Sequence, residues 1–258
     1  RAALEEVLEQ VSGMIDTIEN TAEDSKAAID TIDALDPETV TSADKDELEQ
    51  AVETIDELLA EDHLTEEERK ALEDAKADAE ALITVIGSAQ AATDTENTEK
   101  VEDVTAENVV PEDKADLEEA KADLEKALED NGSNYTEEEK NGIQEEIDRL
   151  DAAIEALENV EAVTESITQL PEAVEPDDEE TAQKILDAKK AYDALTDHEK
   201  SLVNETAKEK LGELVTALTA YDIIKGDGST WTKDSAGTIT FTANGPFSKF
   251  VGIKVDGK

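Results

Sequence analysis

A short helix-start signal, Thr-x-x-Glu, occurs three times in this sequence, each time between two stretches whose apolar residues have helical spacing. The three copies pair Thr65 with Glu68, Thr136 with Glu139, and Thr196 with Glu199. In this arrangement the threonine hydroxyl accepts a hydrogen bond from a first-turn N–H, and the glutamate accepts one from the threonine N–H. We therefore predict that these residues are structural caps of helices that follow turns. Their recurrence predicts an internal repeat rather than one large core.

Apolar residues recur every three or four positions through most of the first 222 residues, which is the spacing of a buried helix stripe. Two of the stripes consist of Leu72, Ala75, Ala79, Leu82 and Ile86, and of Ile143, Ile147, Leu150, Ile154 and Leu157. Alternating steps of three and four are typical of antiparallel, coiled-coil-like packing. The sequence therefore predicts a mainly α fold of elongated, tandem three-helix bundles with a short C-terminal β segment.

Three similar segments begin at Ser42, Pro111 and Pro176, and each contains a helix, a capped turn and another helix. The third helix of each bundle has to come from the stretch before the linker. We predict bundle 1 at 1–92, with helices at about 2–34, 42–61 and 65–92. Bundle 2 is predicted at 93–168, with helices at about 111–130 and 136–168. Bundle 3 is predicted at 169–222. The last helix of a bundle either runs on into the next bundle or ends at a flexible joint, for which residues 93–100 are a candidate.

The composition changes after Asp222, because the only Trp and all three Phe lie in the last 36 residues. Residues 238–243 and 249–255 alternate β-branched or aromatic residues with polar ones, as half-buried strands do. We predict a partial β-sandwich module at 223–258. Its core, rather than a sugar-binding face, is expected to contain Trp231, Phe241, Phe247 and Phe250.

Both ends of the sequence suggest a fragment of a longer protein. Arg1 is not a natural start, and no signal peptide opens the chain. Asp256-Gly257 is a hairpin signal that has no second arm after it. We therefore expect the natural chain to continue beyond both ends.

The charge argues against several kinds of partner. The sequence has 70 acidic and 23 basic residues, which gives a formal charge of −47. Nucleic acid and anionic membrane surfaces attract Lys and Arg, and no apolar run is long enough to span a bilayer. We therefore expect no nucleic-acid partner and no membrane insertion. The lack of cysteine excludes disulfides, thiolate nucleophiles and cysteine metal sites.

No residue pattern in the sequence points to catalysis, a cofactor or a metal. His63 and His198 fall at turns beside acidic residues, and we interpret them as solvated turn residues rather than ligands. Residues 226–230 and 176–180 are rich in oxygen ligands, but neither matches an EF-hand calcium loop, so we interpret them as a tight turn and a helix start. Phosphate-binding loops and serine elbows do not occur. We predict that the chain is not an enzyme, and that it has no catalytic residue, cofactor or metal site.

Residues 191–203, AYDALTDHEKSLV, are similar to the helix turn of tandem three-helix modules in Gram-positive surface proteins, including the FIVAR-like class. Residues 223–258 resemble the first half of a small β-sandwich module that recurs beside such helices in exported proteins. The resemblance covers about residues 33–258, although the first two turns differ, reading HLTEEER and NYTEEEK. It implies an extracellular location, secreted or associated with the cell wall, and a role as a spacer or binding module.

Three functions are compatible with these expectations. The first is a noncatalytic spacer that holds a distal adhesive or catalytic domain away from a Gram-positive cell wall, with flanking domains of the same polypeptide as its partners. The second is an adhesin module that binds a host protein or glycan. The third is an accessory region of a secreted glycoside hydrolase or peptidase. An exposed apolar patch of several hundred Å² on a bundle would favour binding, and a spacer should lack one.

Overall fold

A computed structural model describes residues 2–174, 178–221, 230–233 and 239–242 of the protein, and these are mainly helical. The α-helices are α1 (Ala2–Asp33), α2 (Lys45–Leu59), α3 (Glu66–Thr93), α4 (Glu96–Lys100), α5 (Lys114–Asn131), α6 (Glu137–Thr168), α7 (Glu179–Ala194), α8 (Asp197–Leu202) and α9 (Glu205–Tyr221). Short 3-10 turns occupy Ser42–Asp44, Pro111–Asp113 and Gly132–Asn134. The prediction of a mainly α fold is confirmed.

Contacts between elements divide the chain into two compact units. Compact unit I consists of Arg1–Asp103 and Ala115–Asp151, and compact unit II consists of Val104–Lys114 and Ala152–Lys258. The boundary falls within α6, so the first half of this helix belongs to unit I and the second half to unit II. The division into bundles at 92, 168 and 222 stays a prediction.

In compact unit I, the helices α1, α2 and α3 pack on one another around an apolar core. Each helix buries one side, because apolar residues three and four positions apart share a face. The five residues of the stripe predicted in α3, from Leu72 to Ile86, are at most 5% exposed. The second half of α1 contributes Ala28 and Ile32 to the same core.

The helices α5 and α6 form a hairpin whose turn spans residues 132–136, and α5 from Ala115 onward and the first half of α6 belong to compact unit I. Lys121 of α5 pairs with Asp151 of α6. The buried residues of the two segments are Leu117, Ala120, Leu124, Ala127, Ile143, Ile147 and Leu150. The Tyr135 hydroxyl donates a hydrogen bond to the Ala89 carbonyl oxygen at 2.6 Å, which holds the turn against the end of α3.

In compact unit II, the second half of α6 packs with α7 and α9. The core contains Val160, Val163 and Ile167 of α6, Ile185 and Ala188 of α7, and Leu211, Leu214 and Leu218 of α9. The helix after the capped turn is interrupted, because α8 ends at Leu202 and α9 begins at Glu205. Asn204 caps the new start, since its Oδ1 accepts a hydrogen bond from the Ala207 N–H at 2.8 Å.

Two short strands, β1 (Thr230–Lys233) and β2 (Ile239–Thr242), pair in antiparallel orientation with Trp231 opposite Phe241. The second strand predicted in the tail, at 249–255, lies outside the described residues, as do Phe247 and Phe250. The partial β-sandwich at 223–258 therefore stays a prediction. Of the two segments considered for calcium, residues 226–229 and 176–177 lie outside the described residues. Asp178 caps the start of α7, because its Oδ1 accepts a hydrogen bond from the Thr181 N–H at 3.0 Å.

Candidate functional site

The predicted Thr-x-x-Glu pairs form reciprocal hydrogen bonds at helix starts. At α3, the Thr65 N–H donates to a Glu68 carboxylate oxygen at 2.8 Å, and the Glu68 N–H donates to the Thr65 hydroxyl oxygen at 3.2 Å. The corresponding distances are 2.8 and 3.2 Å between Thr136 and Glu139, and 2.6 and 3.2 Å between Thr196 and Glu199. These bonds satisfy N–H groups that have no partner within the first helical turn.

The hydrogen bonds lower the pKa of the three cap glutamates. For Glu68, which is exposed, the main cause is the bonds from the side chain and backbone of its cap threonine. Burial by itself would raise the pKa of Glu139 and Glu199, but the hydrogen bonds that these carboxylates accept lower it by more. Besides the cap threonines, the donors are Ser42 for Glu139 and Asn159 for Glu199. The turns therefore stabilise the charged form of each carboxylate.

Two of the turns also bind a linker between helices. In unit I, Asn134 Nδ2 donates to the carbonyl oxygens of Pro37 and Val40 at 3.0 and 2.9 Å. In unit II, His198 Nε2 donates to the Val109 carbonyl oxygen at 2.7 Å. Val40 and Val109 are 1% and 0% exposed, so each donor satisfies a carbonyl of a buried linker residue.

The interpretation of both histidines as solvated turn residues is incomplete. A carbonyl oxygen can only accept, so the bond to Val109 places the proton of His198 on Nε2. His63, on the turn between α2 and α3, has its Nε2 3.0 Å from the Thr21 hydroxyl oxygen and its Nδ1 3.6 Å from a Glu61 carboxylate oxygen. Each ring therefore makes a specific contact that its position in the sequence did not indicate.

Other helix starts use the same spacing with different side chains, which the Thr-x-x-Glu pattern does not find. The Thr41 N–H donates to the Asp44 carboxylate at 2.8 Å, before α2. The Val110 N–H donates to the Asp113 carboxylate at 2.9 Å, before α5. A pattern that allowed Asp as the fourth residue would have found the start at Thr41, but not the start at Val110, which has no hydroxyl.

The described residues hold no group of three or more acidic or histidine side chains that is placed to bind a metal ion. None of the described helices combines the length and the apolar character of a membrane span. A groove in unit II is lined partly by Leu157, Val160 and Leu202. At its edge Lys114 Nζ donates to a Glu161 carboxylate oxygen at 3.2 Å. This groove offers apolar contact beside an ion pair.

The first half of α1 carries a contiguous row of exposed apolar side chains. Between positions 4 and 18, seven large apolar residues lie on one side of the helix, and each is between 45% and 68% exposed. We call this set the α1 stripe, and it consists of Leu4, Val7, Leu8, Val11, Met14, Ile15 and Ile18. Elsewhere in the described part of the chain, the exposed large apolar residue is Val110. The α1 stripe is therefore the apolar surface that most needs an explanation.

The α1 stripe is not among the apolar stripes predicted from the sequence, although positions 4, 8, 11, 15 and 18 have the alternating four- and three-residue steps of a helix seam. Spacing alone does not tell whether a seam is covered. A groove beside the stripe is lined by Gln10, Gly13, Thr17 and His63, together with residues of the stripe itself. Of the described surfaces, the α1 stripe is the strongest candidate for binding a partner.

No protein-family model, curated protein or solved structure matches this chain. The resemblance to FIVAR-like modules therefore stays a prediction.

Proposed function

We propose that this chain is a noncatalytic spacer of a large, exported, Gram-positive surface protein, and that it holds an adhesive or catalytic domain away from the cell wall. One observation carries the proposal. Outside the α1 stripe, the described residues expose a single large apolar side chain, Val110, at 39%, and the stripe itself has the three- and four-residue spacing of a helix seam. A module that binds a protein or glycan through a bundle face would need a much larger apolar patch.

Two further features support a spacer. The helix α6 is one element of 32 residues, about 48 Å long at 1.5 Å per residue. The charge of −47 has one sign, and such a charge favours solubility and opposes compaction. The remaining parts of the proposal are an extracellular location and flanking domains of the same polypeptide as partners.

We also propose the finer architecture of tandem three-helix bundles followed by a partial β-sandwich at 223–258. The mutual packing of α1, α2 and α3 supports the first part. The antiparallel pairing of β1 with β2 supports the second part. In this architecture most contacts are local in sequence, which suits an array that can be lengthened by repetition.

Surface display tests the spacer role. The chain is placed between a wall anchor and a terminal reporter, and labelling of the reporter by a bulky antibody is measured on intact cells. A short Gly/Ser linker in place of residues 2–221 is the control, and we expect it to reduce labelling severalfold because the reporter then lies within the wall. Equal labelling in the two cases would contradict the proposal. Small-angle scattering gives a second measure, since a compact chain of this length has a radius of gyration of about 18 Å and a spacer should exceed it.

A binding module is the second candidate, and the α1 stripe is the observation that favours it. In this reading a host protein or glycan contacts the stripe. Recovery from serum and mucin is compared between the chain and its Ile15→Glu variant, because a charge at the centre of the stripe should abolish binding. Equal recovery by the two would remove this candidate. An accessory role beside a secreted glycoside hydrolase or peptidase is compatible with either reading.

A further inference from the structure

The dipeptide Asn-Gly occurs three times in this sequence, at 131–132, 141–142 and 244–245. An asparagine followed by glycine is chemically reactive, because the glycine nitrogen, with no side chain to hinder it, can attack the carbonyl carbon of the asparagine side chain. The attack requires the backbone between the two residues to rotate away from helical geometry, so the fold decides which pairs react. The third pair lies outside the described residues, and the other two differ in their place in a helix.

The first pair lies at the end of a helix. Asn131 is the last residue of α5, and Gly132 begins the 3-10 turn that leads to α6. The backbone of Asn131 has already left helical geometry, since its φ and ψ are −123° and 14°, whereas a helix has about −63° and −42°. Its side chain makes no capping hydrogen bond to the turn that follows. A helix end also opens at a much lower free energy than the interior of a packed helix.

The second pair lies inside α6, which begins at Glu137. In a helix each N–H donates to the carbonyl four residues earlier, so the Glu138 carbonyl holds the nitrogen of Gly142. Both Asn141 and Gly142 are exposed, whereas Asn131 and Gly132 are half-buried. Solvent exposure alone therefore favours reaction at Asn141, and backbone geometry favours reaction at Asn131.

We propose that Asn131 is a site of spontaneous backbone modification, and that its isoaspartate product loosens the turn between α5 and α6. The Gly132 nitrogen forms a bond to Cγ of Asn131 and loses its proton, and the side-chain nitrogen leaves with a proton as ammonia. Water then opens the resulting succinimide ring. Addition of water at Cγ gives aspartate. Addition at the backbone carbonyl carbon gives isoaspartate, whose main chain passes through Cβ and Cγ and is one methylene group longer.

The inserted methylene group falls just before the residues through which the turn makes its contacts. Asn134 Nδ2 donates to the carbonyl oxygens of Pro37 and Val40 at 3.0 and 2.9 Å. The Tyr135 hydroxyl donates to the Ala89 carbonyl oxygen at 2.6 Å. The turn is thus bound to the linker before α2 and to the end of α3. A longer backbone displaces these donors from their acceptors and weakens compact unit I.

The test is ageing of the full chain at mildly alkaline pH and physiological temperature, followed by mass spectrometry of peptides and by methylation with an isoaspartate methyltransferase. We expect isoaspartate to form at Asn131 about tenfold or more faster than at Asn141, because a helix end opens more often than a helix interior. In concentrated urea the two rates should become similar. An equal rate at the two sites in the folded protein, or a difference that persists in urea, would overturn the proposal.

Gly132→Ala is the matched control for the chemistry. A Cβ atom at Gly132 would meet no atom within 4 Å, so the variant should keep the fold, and the added methyl group should slow the attack by the nitrogen of residue 132. Circular dichroism reports whether the helices are retained. Modification of Asn131 at an unchanged rate in the folded Gly132→Ala variant would contradict the proposed reaction.

A second comparison tests the effect on the turn. Asn131→Asp has the charge of the products but not the extra methylene group, so it separates the two effects. In aged chains that contain isoaspartate, the amides at 134–140 should exchange hydrogen about tenfold or more faster than in Asn131→Asp. Equal exchange would show that the turn accommodates the longer backbone, and would overturn the proposed loosening. These readouts do not depend on reporter display, which tests the spacer role separately.

Discussion

His198 illustrates how much one turn residue can contribute through a single hydrogen bond. Its Nε2 donates to the carbonyl of Val109, which is fully buried and 89 positions away in the sequence. We predict that His198→Ala lowers the free energy of unfolding by about 1–3 kcal/mol, because it leaves a buried carbonyl unpaired. Urea unfolding at neutral pH, followed by circular dichroism, measures the change. His198→Gln is the matched control, since it retains a donor, and an equal loss in both variants would argue against the hydrogen bond as the cause.

Glu199 should make stability depend on pH, because hydrogen bonds lower its pKa in the folded protein. A carboxylate whose pKa is lower in the folded protein than in the unfolded chain stabilises the fold at pH values above the unfolded pKa, which is about 4.3 for Glu. This stabilisation is lost as the pH falls through the folded pKa. We predict that Glu199→Gln costs about 1–3 kcal/mol at pH 7 and that the difference from the parent shrinks below about pH 4. Unfolding at a series of pH values measures this. The exposed Glu213→Gln serves as the control, and a cost that does not change with pH would contradict the prediction.

Leu150 tests the seam on which the bundle prediction depends. The residue is 0% exposed in α6, and replacing it with Ala leaves a cavity. We predict that Leu150→Ala lowers the free energy of unfolding by about 2–5 kcal/mol, whereas Asp148→Ala on the exposed side of the same helix should change it by less than about 0.5 kcal/mol. Chemical unfolding of the two variants gives the comparison. A silent Leu150→Ala would show that the seam is misplaced.

At the scale of elements, α1 and α6 both contain 32 residues and each has an apolar seam, but the first part of the seam of α1 is exposed. A long helix is stabilised mainly by the packing of its apolar side rather than by helix propensity. The half of α1 that carries the exposed stripe should therefore exchange its amide hydrogens faster than the half that contacts α2 and α3. The helices thus differ in local stability for a reason that lies outside their own sequences.

Gly142, in the first half of α6, offers a way to strengthen this helix. A Cβ atom at this position would meet no atom within 4 Å. We predict that Gly142→Ala raises the free energy of unfolding by about 0.5–1 kcal/mol, because Ala loses less backbone entropy than Gly in a helix. Thermal unfolding measures the gain. Gly142→Pro is the opposing control, since it removes a helix hydrogen bond, and a Gly142→Ala variant that is less stable than the parent would refute the prediction.

At the scale of the whole molecule, the net charge of −47 is the dominant electrostatic feature. Ion pairs offset part of it, and many join residues three or four positions apart on one helix, such as Lys70 with Asp74. Exposed pairs of this kind contribute little to stability, in the range of about 0–1 kcal/mol each. Repulsion among the remaining acids should therefore outweigh the attraction within pairs.

We predict that salt stabilises this protein. Raising NaCl from about 0.01 M to about 1 M shortens the Debye length from about 30 Å to about 3 Å, and this screens the repulsion among acids more than it weakens the pairs. The melting temperature should rise by several degrees, as measured by circular dichroism. KCl should give the same rise, because screening depends on ionic strength rather than on the identity of the cation. A melting temperature that falls or stays constant would show that the ion pairs matter more than the net charge.

The amino-acid sequence by itself determined where most of the helices lie. A cap and an apolar stripe act within a few residues of one another, so Thr65 and the stripe from Leu72 to Ile86 sufficed to locate α3. The cap at Asp44 lies outside the Thr-x-x-Glu pattern because its fourth residue is Asp. The cap at Asp113 lies outside it also because Val110 stands in place of the Thr, although both hydrogen bonds are equally local.

Only the tertiary structure decided which seams are covered. Ile15 lies in the seam of α1 and Leu150 in the seam of α6, yet Ile15 is exposed and Leu150 is buried. The bond from His198 to Val109 likewise joins segments 89 positions apart. Helix formation depends on neighbours in the sequence, whereas burial depends on which distant segment packs alongside, and periodicity carries no information about that choice.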